Sequence, residues 1–110
     1  MAYDQGLVER VADALVRIGE RRGRQKGVFG GRGFLIGKKT FVIAWGEGLL
    51  VRARASEYEA LLREPGVTPS APGGEGKMGT WLVVPDGLLA EEPELIEWVR
   101  RGLDSLRAPG

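Results

Sequence analysis

In the segment LLVRARA, Arg52 and Arg54 stand two residues apart, so an extended backbone carries both guanidinium groups on one face. Planar, forked N–H donors of this kind suit bidentate binding of a carboxylate or a phosphate. Lys77 lies just ahead of a further extended segment, and Phe29 and Trp81 can border the same region. Arg52, Arg54, Lys77 and Trp81 therefore make the candidate interaction site, a receptor for an anion or an acidic peptide. The plainer role for these cations is an ion pair for Arg52 and solvent for Lys77. A second group, Arg17, Arg21, Arg24, Lys26 and Arg32, lies in a stretch whose only acid is Glu20. It is a candidate patch for an anionic partner. Nucleic-acid phosphates are one such partner, but no base-reading motif accompanies the cations and the formal net charge is only +1. Residues 86–97 hold Asp86, Glu91, Glu92, Glu94 and Glu97 without a base. Pairing between the two stretches, within the chain or between subunits, also accounts for the asymmetry.

Chemistry that needs a thiolate or an imidazole is excluded, because the chain has no cysteine and no histidine. That removes disulfides, cysteine nucleophiles, histidine-activated nucleophiles and Cys/His metal sites. Carboxylates and lysines remain. Glu94 and Glu97 are three residues apart on a predicted helix, a spacing that equally describes its solvated face. Nothing sets an opposing acid across a cleft, and the acids lack the spacing of a calcium loop. No catalytic residue, cofactor site or metal site is therefore assigned, and a non-enzyme is expected.

The glycines of KGVFGGRGFLIG, residues 26–37, raise the question of a phosphate cradle. A nucleotide loop of the GxxxxGK[ST] kind follows a strand and opens a helix. Here Gly31 is followed by Arg32-Gly33-Phe34 and a predicted strand, and Gly31-x-Gly33 lacks the dinucleotide-binding continuation. Phe29-Gly30-Gly31 is read instead as a structural turn, where glycine accepts positive dihedrals and close backbone approach.

The elements that position these residues follow from periodicity. Leu7, Val11, Leu15 and Ile18 mark a helix over residues 5–21, with Gly23 as its stop. Arg24 to Gly27 then read as a basic connection. Strands are expected at Gly33–Ile36, Thr40–Trp45 and Leu49–Ala53, joined by short reversals that favour an antiparallel meander. Alternation puts Phe41, Ile43 and Trp45 on one face and Val42 and Ala44 on the other. Ser56 with Glu59 matches a capping box for a helix to about Glu64. Residues 66–76 read as a loop, Thr80–Val84 as a strand, and Leu95, Ile96, Trp98, Val99, Leu103 and Leu106 as the apolar stripe of a last helix. This order predicts an α+β two-layer domain over residues 1–110, with a mostly antiparallel sheet and helices mainly on one face. Several strands are apolar on both faces, so a homodimer sealing the second face is expected. No apolar run approaches a membrane span and the N-terminus is not a targeting presequence, so a cytoplasmic location without membrane contact is expected.

Five blocks in order, MAYDQGLVERV, KGVFGGRGFLI, LLVRA, SEYEALL and KMGTW ahead of VVPDG, resemble the TfoX N-terminal domain family over roughly residues 1–108. On that resemblance the family turn falls on Phe29-Gly30-Gly31, its strand arginine on Arg52, and its basic–methionine element on Lys77-Met78. Its glycine and aromatic fall on Gly79 and Trp81. Members often carry Lys or Arg and then Met before the Phe-Gly-Gly turn, where this chain has Lys26-Gly27-Val28. The resemblance implies an α-β3-α-β2-α order similar to secretion-chaperone-like domains, with one further short strand near residues 76–79 or 27–30. It brings no catalytic motif. A stand-alone protein-interaction or regulatory module is expected, with an unidentified protein as partner. A nucleic-acid-associated transcription or competence regulator is the alternative, and a small carboxylate or lysine enzyme ranks last.

Overall fold

Asp4 opens the first element: its carboxylate accepts the Gly6 N–H at 2.8 Å, satisfying one of the orphan donors at the start of helix α1 (Gln5–Ile18). The computed structural model describes residues 3–28, 30–46, 48–70 and 80–107. Along α1, Leu7, Val8, Val11, Ala14 and Leu15 are buried. The helix stops at Gly19, which takes a left-handed φ of 91° and donates to the carbonyls of Leu15 and Val16. Its end therefore lies ahead of the expected Gly23, because the earlier glycine already accepts the terminating geometry without a Cβ penalty.

Six strands form one sheet: β1 (Arg24–Val28), β2 (Gly31–Ile36), β3 (Lys39–Trp45), β4 (Gly48–Arg52), β5 (Thr68–Ser70) and β6 (Trp81–Pro85). Their spatial order is β1-β2-β3-β4-β6-β5, and every neighbouring pair is antiparallel. Helices α1, α2 (Ala55–Leu62) and α3 (Glu92–Asp104) cover one face, with a 3-10 turn at Asp86–Leu89 ahead of α3. The expected α+β layering is observed, but four strands, not three, precede α2.

The additional strand is β1, which overlaps the 27–30 position expected for a short extra strand; residues 76–79 lie outside the described residues. Arg24–Gly27 had the composition of a connection, since RQKG carries no β-branched or aromatic residue. Pairing makes it a strand, from Arg24 opposite Leu35 to Val28 opposite Gly31. The same holds for β5, read locally as loop, whose Pro69 is tolerated on the sheet's outer edge. The capping box at Ser56 is also not formed. Thr80 clamps Ala53 instead, accepting its N–H at the Thr80 carbonyl (2.8 Å) and donating its hydroxyl to the Ala53 carbonyl. The chain then turns helical directly after Arg54, leaving Ser56 inside the first turn.

One irregularity changes the alternation. Pairing steps from Phe34 opposite Val42 to Leu35 opposite Thr40, so Phe41 is the extra residue of a bulge. Phe41 consequently joins Val42, Ala44, Leu49, Val51, Leu82 and Val84 in the core under the helices, rather than grouping with Ile43 and Trp45. Helix α3 lies close against this bulge at Gly102. A Cβ there would sit 2.8 Å from both the Phe41 carbonyl oxygen and Val42 Cγ1.

Gly102→Ala tests this close approach. Helix propensity alone would favour alanine by about 1 kcal/mol, whereas overpacking against backbone costs about 1–3 kcal/mol. A net loss of stability is expected in urea unfolding, while Gly27→Ala, which meets nothing within 4 Å, should change it little.

Candidate functional site

At the end of β4 the chain delivers Arg52 and Arg54 to the last turn of α3. Arg52 Nη1 donates to the Ser105 carbonyl at 3.3 Å and Arg54 Nε to the Asp104 carbonyl at 3.1 Å. Ser105 Oγ adds a bond to the Gly102 carbonyl at 2.6 Å. These acceptors are backbone groups at the negative end of the helix, where cations are favoured. Trp81 stands directly across from Arg52 in the β4–β6 register. Arg52, Arg54 and Trp81 are thus brought together, with most of the arginine function directed at a helix end. Lys77 and Phe29 lie outside the described residues.

A third arginine does the same work and carried no sequence signal. Arg10, on α1, donates through Nη2 to the carbonyls of Leu89 (2.7 Å) and Ala90 (3.2 Å), fastening the 3-10 turn to α1. Its partners lie 79 and 80 residues away, so no local pattern announces the contact. Arg101 stacks over the buried Trp98 ring, 4.5 Å from its centroid, and reaches Glu97 at 3.6 Å.

The second basic group does not form one surface. Arg17 bonds Asp13 at 2.8 Å and Glu92 at 3.2 Å, an ion pair between the basic and acidic stretches. The paired carboxylates raise the Arg17 pKa further, chiefly through the Asp13 hydrogen bond. Arg24 and Lys26 share one face of β1, and Arg32 pairs opposite Gly27, on the face that carries Gln25. Arg32 Nε donates to Gln25 Oε1 at 3.1 Å. Arg24 Nη2 reaches the Gly37 carbonyl at 3.5 Å, and Arg21 and Lys26 are exposed.

The turn between β1 and β2 answers the phosphate question. Val28 pairs with Gly31, and Gly30, in the reversal between the two strands, takes a φ of 82°. A Cβ on Gly31 would run into the Ala44 carbonyl oxygen of β3. The glycines thus join two antiparallel strands and admit a third, and no helix begins there.

A cavity of about 590 Å³ lies between the C-terminal ends of α1 and α3 and is lined by Glu20, Arg22, Lys39, Asp104 and Arg107 among others. Glu20 accepts from Arg22 Nε at 3.1 Å and from the Arg22 N–H at 3.0 Å, while Arg107 approaches Asp104 at 3.6 Å. The Arg22 side chain, then its backbone N–H, hold the Glu20 carboxyl below its ordinary value of 4.5, with Arg107 adding a smaller pull. Cations and acids alternate around this cavity, so it offers no uniform field to a ligand. Among the described residues, no group of three or more acids is placed to hold a metal ion, and no helix is long and apolar enough to cross a membrane.

A model of the TfoX N-terminal domain family matches residues 15–106. No curated protein and no solved structure matches the chain. The matched span includes Gly30, Gly31, Arg52, Arg54 and Trp81; Asp4 and Arg10 fall before it.

Removing both guanidinium groups, as Arg52→Met with Arg54→Met, should cost about 1–3 kcal/mol in urea unfolding. Amide exchange should quicken selectively in residues 102–107. Glu20 supplies a pH test: its depressed folded value means its contribution is complete above pH 4.5 and is lost as pH falls through the lower folded value. Glu20→Gln should therefore flatten the fall in stability below pH 4.5, measured by denaturant titration at stepped pH.

Proposed function

The chain belongs to the TfoX N-terminal domain family, and from that premise we propose that it is a non-enzymatic interaction or regulatory module acting as a homodimer in the cytoplasm. Support comes from the sheet face opposite the helices. Ile43 and Leu50 pair across β3 and β4 there, Val83 lies beside Leu50, and the Gly31 backbone sits against Ile43 and Trp45. Trp45 is 48% exposed, against 1% for Ile43. The observation that carries the proposal is Trp45, a large aromatic side chain half-exposed on the face that no helix covers among the described residues; Ile43 and Leu50 on that face are already buried. A second copy placed on it would bury tryptophan surface at the centre of the contact, the arrangement that supplies most interface energy.

The mechanism in this reading is rigid presentation. Helix ends fixed by arginines hold the sheet, and the Gly30-Gly31 reversal sets its rim. A nucleic-acid role draws less support, because Arg17 is held by Asp13 and Glu92, and Arg24 and Arg32 lie on opposite faces of the β1–β2 hairpin. The secretion-chaperone likeness implied by the family resemblance belongs with this proposal.

Mass measured by light scattering across micromolar concentrations tests the homodimer. The wild type should be dimeric, and Trp45→Lys should weaken association at least about tenfold while leaving the far-ultraviolet circular dichroism unchanged. A wild type that stays monomeric at high micromolar concentration, or a folded Trp45→Lys that dimerises equally well, would remove this interface.

A further inference from the structure

Strand β1 is an outer strand of the sheet, and its residues Arg24 to Gly27 are exposed. In an antiparallel pair every second residue of such a strand turns its N–H and C=O away from the neighbour. That row of unpaired groups is a template for one more strand. The two sides of this edge differ sharply in chemistry. On one face of β1 stand Arg24 and Lys26, two residues apart. The face carrying Gln25 opens into a cavity of about 540 Å³, walled by Ala12, Leu15 and Val16 of α1 and by Phe34 of β2, with Glu20 and Arg21 at its border. Val16 is 74% exposed there, the only apolar residue of α1 in that condition among the described large hydrophobics.

From this juxtaposition we propose that the β1 edge binds an extended peptide with alternating acidic and apolar residues, added as a seventh, antiparallel or parallel strand. Backbone hydrogen bonds to β1 would supply sequence-independent affinity, and the two faces would supply selectivity. Period-two alternation sends acidic side chains of the added strand toward Arg24 and Lys26. The intervening side chains enter the groove beneath α1, against Val16 and Phe34. Charge complementarity decides against a second copy at this edge. Self-pairing of β1 would bring Arg24 and Lys26 of two chains together, and like charges directly opposite destabilise a strand pair. Arg24 spends one N–H on a long contact with the Gly37 carbonyl at 3.5 Å, and a guanidinium has four further donors. The proposal goes beyond homodimerisation and uses the outer edge of β1, two strands from Trp45, although Arg24 and Lys26 share the helix-free face with it.

The probe is a fluorescein-labelled nine-residue peptide alternating Glu and Val. Its controls are the same composition sorted into an acidic and an apolar block, and an alternating Lys/Val peptide. The alternating acidic peptide should bind wild type with a micromolar Kd at low salt and more weakly as salt rises. Neither control should come within about tenfold of it. Amide exchange should slow in residues 24–28 on binding. Arg24→Glu with Lys26→Glu, and separately Val16→Glu, should each weaken binding at least about tenfold; all three positions are exposed, and circular dichroism checks their folding. Trp45→Lys should bind within about twofold of wild type, so the edge and the dimer face succeed or fail separately. No binding, equal binding of the block peptide, slowed exchange elsewhere, or slowed exchange at 24–28 in concentrated protein without peptide would each overturn the proposal.

Discussion

A helix that ends against a protein interior leaves carbonyl groups that water reaches poorly, and those groups need donors. Here the donors are arginines from other layers. Arg52 and Arg54 leave the sheet at the end of β4 and close the last turn of α3, while Arg10 leaves α1 and closes the 3-10 turn ahead of α3. Helix α3 is thus held near both ends, by guanidinium groups belonging to the elements on which it rests. Position follows from this: Leu95, Trp98 and Val99 come down on the sheet, and Gly102 lands on the bulge at Phe41.

Close approach is the second constraint. The bulge turns Phe41 and Val42 both into the core, which thickens the sheet under α3 at one point. Only a residue without a Cβ fits above it, and α3 supplies Gly102. At the opposite end of β3, Gly31 lets the β1–β2 hairpin close over the Ala44 carbonyl. Each contact includes a carbonyl oxygen of the facing backbone, of Phe41 or of Ala44, which cannot relax by moving a side chain.

Charge is distributed by the same logic. Several arginines meet carbonyls or carboxylates within the chain: Arg10, Arg17, Arg22, Arg52 and Arg54. Arg24 and Lys26 are exposed on the outer strand β1. Trp45 is half-exposed on the face away from the helices.

Local pattern alone fixed much of this. The stripe of α1, the strands at 33–36, 40–45 and 49–53 to within a residue or two of their ends, the stripe of α3, and the exclusion of thiolate and imidazole chemistry were all legible, because each depends on residue type and on a period of two or 3.6. The structural role of Gly30-Gly31 was legible too, since the residues after them read as strand. Strand β1 and the short β5 were not, because RQKG and TPS have no strand character of their own and become strands only by pairing. The bulge at Phe41 was likewise hidden, since a register shift is a property of two strands together. Tertiary structure alone decided that Arg52 and Arg54 face carbonyls 53 and 50 residues away along the chain, and that Arg10 has a role at all. A guanidinium accepts any oxygen within reach, and which oxygen is within reach is set by the packing of layers, not by neighbours in sequence.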